Sequence, residues 1–141
     1  MSVTYIPAEL RRLVSARANN VCEYCRMPAS ASFYGCEIDH IVSEKHGGLT
    51  AAANLALACF MCNRNKGSDV ATIDPATGEF VGFFHPRTDV WDDHFAFDPA
   101  DAVTFTAHTA VGAATIRIFG INDSDRVFER GILRNAGRYP G

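Results

Sequence analysis

Between positions 36 and 67 the chain sets residues capable of hydrolytic chemistry at close intervals. Asp39 and His40 are adjacent, Asn54 follows, and Cys59-x-x-Cys62 runs straight into Asn63, with Lys66 and Gly67 just beyond. A second pair, Cys22-x-x-Cys25, stands upstream. A neutral imidazole takes a proton from water when something fixes its orientation and tautomer, and an asparagine does so through its amide or its backbone. A carboxylate and an amide carbonyl are hard oxygen ligands, suited to magnesium or manganese that keeps several waters. Together such groups place an activated water beside a metal, which is what cutting a phosphodiester requires.

The cysteines supply a frame for this chemistry. Five are present, four of them in the two Cys-x-x-Cys pairs. One such pair alone reads equally well as a redox site, whereas two in one small chain read as a tetrahedral zinc site. A disulfide framework would need an oxidising compartment. The stretch from Met1 to Ala8 lacks the basic start and apolar core of a secretory signal, so a cytoplasmic location with reduced thiols is the expectation. Zinc on Cys22, Cys25, Cys59 and Cys62 has no open position for water, which makes the site structural. Any reactive chemistry then falls to the residues that the zinc frame positions. Cys36 is left over and reads as a small core residue.

Composition bounds the rest. A chain of 141 residues with 48% hydrophobic and 21% charged content is one ordinary domain with a modest core, and not a disordered one. No apolar run approaches membrane-spanning length. The net charge of -3 argues against a general nucleic-acid binder, but the charge is unevenly spread. From Asp69 to Asp101 the sole basic residue is Arg87, among many acids. The remainder is slightly basic, with Arg11, Arg12 and Arg17 near one end and Arg117, Arg126, Arg130, Arg134 and Arg138 near the other. A local positive face is compatible with this pattern, with modest, salt-dependent phosphate affinity.

The elements that must position the central residues follow from periodicity. Pro7 and Glu9 open a helix in which Leu10, Leu13, Val14 and Ala18 recur at helical spacing, and Asn19-Asn20 ends it. Met27 to Ser32 reads as loop, and Ser32 to Ile41 as a first strand. Gly47-Gly48 marks a turn, and Thr50 caps a short helical turn, Ala51 to Ala53, that delivers Asn54. Leu55, Leu57 and Cys59 alternate as a second strand. From Phe60 a helix carries Asn63, Arg64 and Lys66 until Gly67 stops it. Beyond it, Asp74 to Gly78 is a turn and Phe80 to Phe84 a strand. Phe95 and Phe97 with Val103 and Phe105 form a hairpin, Ala110 to Phe119 a helix, and Asp125 caps a last helix.

Asp39-His40-Ile41, Gly47-Gly48, Asn54-Leu55 and Cys59-x-x-Cys62-Asn63-x-x-Lys66-Gly67, with the upstream Cys-x-x-Cys, resemble the HNH endonucleases. The matching points run from about Cys22 to Gly67. The resemblance implies an α+β fold around a ββα-metal, treble-clef-like motif, with a core at about 22–70 and an extension over about 71–141 of one domain. It implies His40 as general base, Asn54 as the group orienting it, and Asp39 with Asn63 as ligands of a catalytic magnesium or manganese. The last family position is often histidine; Asn63 is a neutral oxygen ligand that favours hard metals over nickel or zinc. Arg64 and Lys66 have two readings, a phosphate path or a solvated helix face. Glu37 also has two, a reach to the metal or a solvent-facing position. The segment Phe84-His85-Pro86-Arg87-x-Asp89-x-Trp91-x-x-His94-Phe95 is similar to one that follows the motif in some bacterial HNH proteins. Its Trp91, Asp92 and histidines read as packing around the motif.

The expected function is therefore metal-dependent hydrolysis of phosphodiesters in DNA, with one structural zinc. A single motif nicks one strand; a double-strand break takes a homodimer or two visits. The competing reading is a zinc-stabilised module that binds nucleic acid or protein without cutting, which the set Asp39, His40, Asn54 and Asn63 argues against.

Overall fold

A strand, a returning strand and a helix form the centre of the molecule. β1 (Cys36–His40) pairs antiparallel with β2 (Leu55–Cys59), in a register that opposes Cys36 to Cys59 and His40 to Leu55. The chain then turns directly into α2 (Phe60–Lys66), which ends at Gly67. The N-terminal helix, α1 (Ala8–Arg17), packs on the other side of β2 through Val14 and Leu10. Covered on both faces, β2 is buried along its whole length, its alanines as well as Leu55, Leu57 and Cys59. The computed structural model describes residues 4–141; residues 1–3, part of the stretch read as lacking a secretory signal, lie outside the described residues.

The remaining elements build up around this unit. A hairpin joins β3 (Ala71–Ile73) to β4 (Phe80–Gly82), and after α3 (Trp91–His94) a second joins β5 (Phe95–Phe97) to β6 (Phe105–Ala107). Two helices close the chain, α4 (Ala110–Ile118) and α5 (Ser124–Asn135). The fold class is α+β, with small antiparallel sheets and helices segregated around them. No helix is long and apolar enough to cross a membrane, among the described residues. The larger core cluster joins Cys22, Tyr24, Cys59 and Cys62 to Phe84, Phe95, Phe105, Phe119 and Ile121, so the cysteine frame and the C-terminal elements share one interior.

Several local expectations are corrected. The first strand is shorter than Ser32 to Ile41, because Ala29–Ala31 is a 3-10 turn and Gly35, at φ +64°, holds the chain out of strand geometry. Thr50 is not a cap: the short turn is Ala52–Asn54, its N-terminal flank is Ala51, and no side chain caps it. Leu13 faces out and is exposed. The last helix opens at Asp123, not Asp125. Arg126 and Arg130, counted towards a positive face, are both buried, with their guanidinium groups bonded to backbone carbonyls inside the molecule. Arg17 donates to the carbonyls of Ala52 and Leu55 at 2.8 and 2.5 Å, which ties α1 to the start of β2.

Candidate active site and zinc centre

The four paired cysteines converge. The Sγ atoms of Cys22, Cys25, Cys59 and Cys62 lie within 4.8 Å of one another, all buried. Cys25 and Cys59 sulfurs are 3.6 Å apart. Thiolates at about 2.3 Å from a central zinc stand about 3.8 Å from each other, whereas a disulfide needs about 2.05 Å, so the spacing fits a metal site and not a bridge. Cys22 and Cys59 each also accept a hydrogen bond from the backbone N–H of the second cysteine in their pair, at 3.5 and 3.4 Å. The Arg126 guanidinium lies 3.2 Å from the Cys62 sulfur and 3.8 Å from that of Cys59. Burial works against its charge, but the neighbouring cysteines hold its pKa above the ordinary value. One cation thus stands where a four-thiolate zinc site would be doubly negative. Cys36 is half-buried between the two core clusters, and burial, then Cys59 and Cys25, push its thiol up to about 12.

On β1, strand alternation sends Glu37 and Asp39 to the side that α2 covers. Asn63 donates from its amide nitrogen to the Glu37 carboxylate at 2.6 Å, a contact that does not engage its side-chain carbonyl oxygen. One turn further along α2, Lys66 donates to Asp39 at 3.2 Å and to the His40 carbonyl at 2.9 Å. The other Asp39 oxygen accepts from the Tyr24 hydroxyl at 2.8 Å. Burial pushes the Asp39 carboxyl up, while Lys66 and Tyr24 pull against that shift. Asp39 and Asn63, expected as partners in one ligand set, are thus brought to the same interface with different direct partners. Lys66 is 2% exposed, which corrects its reading as part of a phosphate path. Arg64 is exposed on the same helix.

His40 is buried at the end of β1, with Nε2 2.9 Å from the Thr50 hydroxyl. Asn54 was expected to orient this ring through its amide or its backbone; its side chain closes the loop that follows. Its carbonyl oxygen accepts from the Val42 N–H, and its amide nitrogen donates to the carbonyls of Val42 and Leu49, each at 2.9 Å. Its backbone carbonyl accepts from Ile41, next to His40. Asn54 therefore holds both ends of the loop, and the loop delivers Thr50 to the imidazole. Gly48 makes this closure fit, since a Cβ there would meet the Val42 carbonyl oxygen at 1.7 Å. Thr50 and Tyr24 are contacts to these residues that sequence reasoning missed, as are Lys66 on Asp39 and Glu44, whose carboxylate lies 4.0 Å from His40 Nε2. Thr50 followed a glycine turn and read as a cap; Tyr24 lay between two cysteines with no periodic pattern to interpret.

The segment after β4 clamps this unit. Trp91 donates from Nε1 to the Tyr24 carbonyl at 3.1 Å, and the Arg26 guanidinium stacks 4.4 Å above the indole ring. Arg87 pairs with Glu23, whose other oxygen accepts from the Leu57 N–H of β2. The Phe84 and Phe119 rings pack edge-on against Tyr24. The reading of this segment as packing around the motif matches these contacts.

A ββα unit with a buried four-cysteine cluster at its base, spaced to hold a zinc ion, defines the class: a small module that presents polar residues along one strand and helix. Within that class, residues 22–69 match the family model described as HNH endonuclease. The match spans the four paired cysteines and Asp39, His40, Asn54 and Asn63, so this segment is similar to nuclease-type domains. No curated protein and no solved structure gave a match.

Proposed function

We propose that the protein is a metal-dependent endonuclease that hydrolyses phosphodiester bonds in DNA, one strand per site. The observation that carries this reading is the interface of β1 with α2, where Glu37 meets Asn63 and Lys66 joins Asp39 to the His40 carbonyl, inside the segment matched as HNH endonuclease. Asp39 and the Asn63 carbonyl, with Glu37 adjoining, are hard oxygen donors that would hold magnesium or manganese. A carboxylate has about four lone-pair directions, and Tyr24 and Lys66 use two of those on Asp39. When bound, such a metal offsets charge on the phosphate and leaving oxygen.

The protein's own residues do the remaining work. Thr50 holds one imidazole nitrogen of His40, so that Nδ1 is left to take the proton of the attacking water. Asn54 keeps the loop carrying Thr50 closed. Lys66 and Tyr24 fix the Asp39 carboxylate from inside. The zinc frame keeps β1 and α2 in register and takes no part in the reaction.

The test is single-turnover plasmid nicking against magnesium or manganese concentration, with zinc content and circular dichroism checked for each variant. His40→Ala should keep zinc and fold and lose about a hundredfold to ten-thousandfold in rate. Asn63→Ala should recover part of its lost rate at higher metal. Equal rates in wild type and His40→Ala would overturn the nuclease reading and leave the zinc-stabilised binding module.

A further inference from the structure

The turn before β1 carries two aromatic rings into solvent. Phe33 is 97% exposed and Tyr34 is 66% exposed. They are not loose. Tyr34 stacks on Phe60 of α2 at 4.6 Å between ring centroids and 21° between planes, and Phe33 meets Tyr34 edge-on at 5.4 Å. Ser32 pins the turn by accepting from the backbone N–H groups of Tyr34 and Gly35. A ring stacked on one face and still mostly exposed presents its other face outward. Arg64 stands one helical turn from Phe60 on α2, and exposed; Asn63 of the candidate site adjoins it.

We propose that Phe33 and Tyr34, braced by Phe60, are a stacking platform for an unpaired base of the nucleic-acid strand, with Arg64 meeting the adjoining phosphate. This rests on nucleic acid being the partner, as under Proposed function. The geometry favours a base over a protein surface. Stable protein interfaces bury about 800 Å² on each side, whereas the exposed apolar surface of this turn is two rings beside a small groove that Met27, Phe60 and Met61 line and Arg126 and Glu129 edge with charge. Every base has a flat π-face, so such a platform binds without reading sequence. α2 links platform and candidate site directly, with Phe60 at its start and Asn63 about 4.5 Å further along its axis. A base on Tyr34 then belongs to a nucleotide near the cut and not at it. The platform should therefore favour frayed, bulged or single-stranded segments over intact duplex.

The experiment is fluorescence anisotropy of labelled oligothymidylate and of a paired duplex of equal length, with zinc-loaded full-length protein and no added magnesium or manganese. Phe33→Ala with Tyr34→Ala should weaken binding of the single strand by about tenfold to a hundredfold. Duplex binding should stay as in wild type, and Tyr34→Phe should keep single-strand binding. The proposal is overturned if the double variant binds oligothymidylate like wild type, if wild type binds none, or if single strand and duplex weaken equally. It is also overturned if sedimentation shows a wild-type dimer that the double variant loses, since the rings then face a second copy. Nicking is measured separately: a platform effect without nicking removes the nuclease reading alone, and nicking without a platform effect removes this one.

Discussion

A buried ammonium persists only where its charge is matched and its protons are bonded. Lys66 meets both conditions through Asp39 and the His40 carbonyl, and in doing so links the end of α2 to the end of β1. Breaking a buried pair from one side leaves the other charge uncompensated, at about 3–5 kcal/mol. Lys66→Met keeps most of the volume and removes the charge, so it should cost about that much in urea-induced unfolding. Asp39→Asn in the same chain should restore part of it, because the stranded carboxylate is gone. The double-mutant cycle checks this; strictly additive losses would mean that the two side chains do not act as a pair. The salt dependence of nucleic-acid binding should not follow Lys66, because an enclosed ammonium releases no counterions from a phosphate.

Asn54 and Gly48 act at the scale of the loop between β1 and β2. The Asn54 amide reaches across to Val42 and Leu49, and the backbone of Gly48 occupies the space between. Gly47 differs: it has φ +89° and open space where a Cβ would stand. Gly47→Ala should therefore cost about 1–2 kcal/mol, the strain of a left-handed residue. Gly48→Ala should cost more and should also displace Thr50 from His40, because the clash is with backbone and no rotamer relieves it. Thermal unfolding of both variants, with the His40 ring followed by NMR, separates the two; equal costs and an unmoved ring would show that the loop can give way. Such details were out of reach of the sequence, whereas the elements around them were legible. Helical spacing and Gly67 bounded α2, and the alternating phenylalanines marked the β5–β6 hairpin. β3 is three residues long, too short for a period to register. The partners of Asp39 and His40 depend on Tyr24 and Thr50, residues that folding, not sequence spacing, brings into contact. Lys66 misled because a lysine on a short helix reads as solvated unless the opposite wall is known.

At the scale of the molecule, the C-terminal half acts on the cysteine cluster. The Tyr139 hydroxyl donates to the Cys25 carbonyl at 2.6 Å, and Asn65 of α2 donates to the Phe119 carbonyl at 2.7 Å. Arg126 shares that carbonyl at 2.7 Å and reaches the Cys59 and Cys62 sulfurs with its other nitrogen. Four thiolates on one zinc carry two surplus negative charges in a dry interior, and Arg126 is the cation in contact with them. Groups bonded to metal ligands in this way contribute about tenfold to a hundredfold in metal affinity. Arg126→Met fills a similar volume without charge, so zinc should be lost to a competing chelator at correspondingly lower chelator concentration. Trp91, the single tryptophan, bonds to the Tyr24 carbonyl between the two cysteines of the first pair, and its fluorescence should report that loss. Because the cysteines share their core with Phe84, Phe95, Phe105 and Phe119, zinc removal should loosen the C-terminal elements in the same transition. If Arg126→Met holds zinc as tightly as wild type, α5 contributes packing to the centre and no charge compensation.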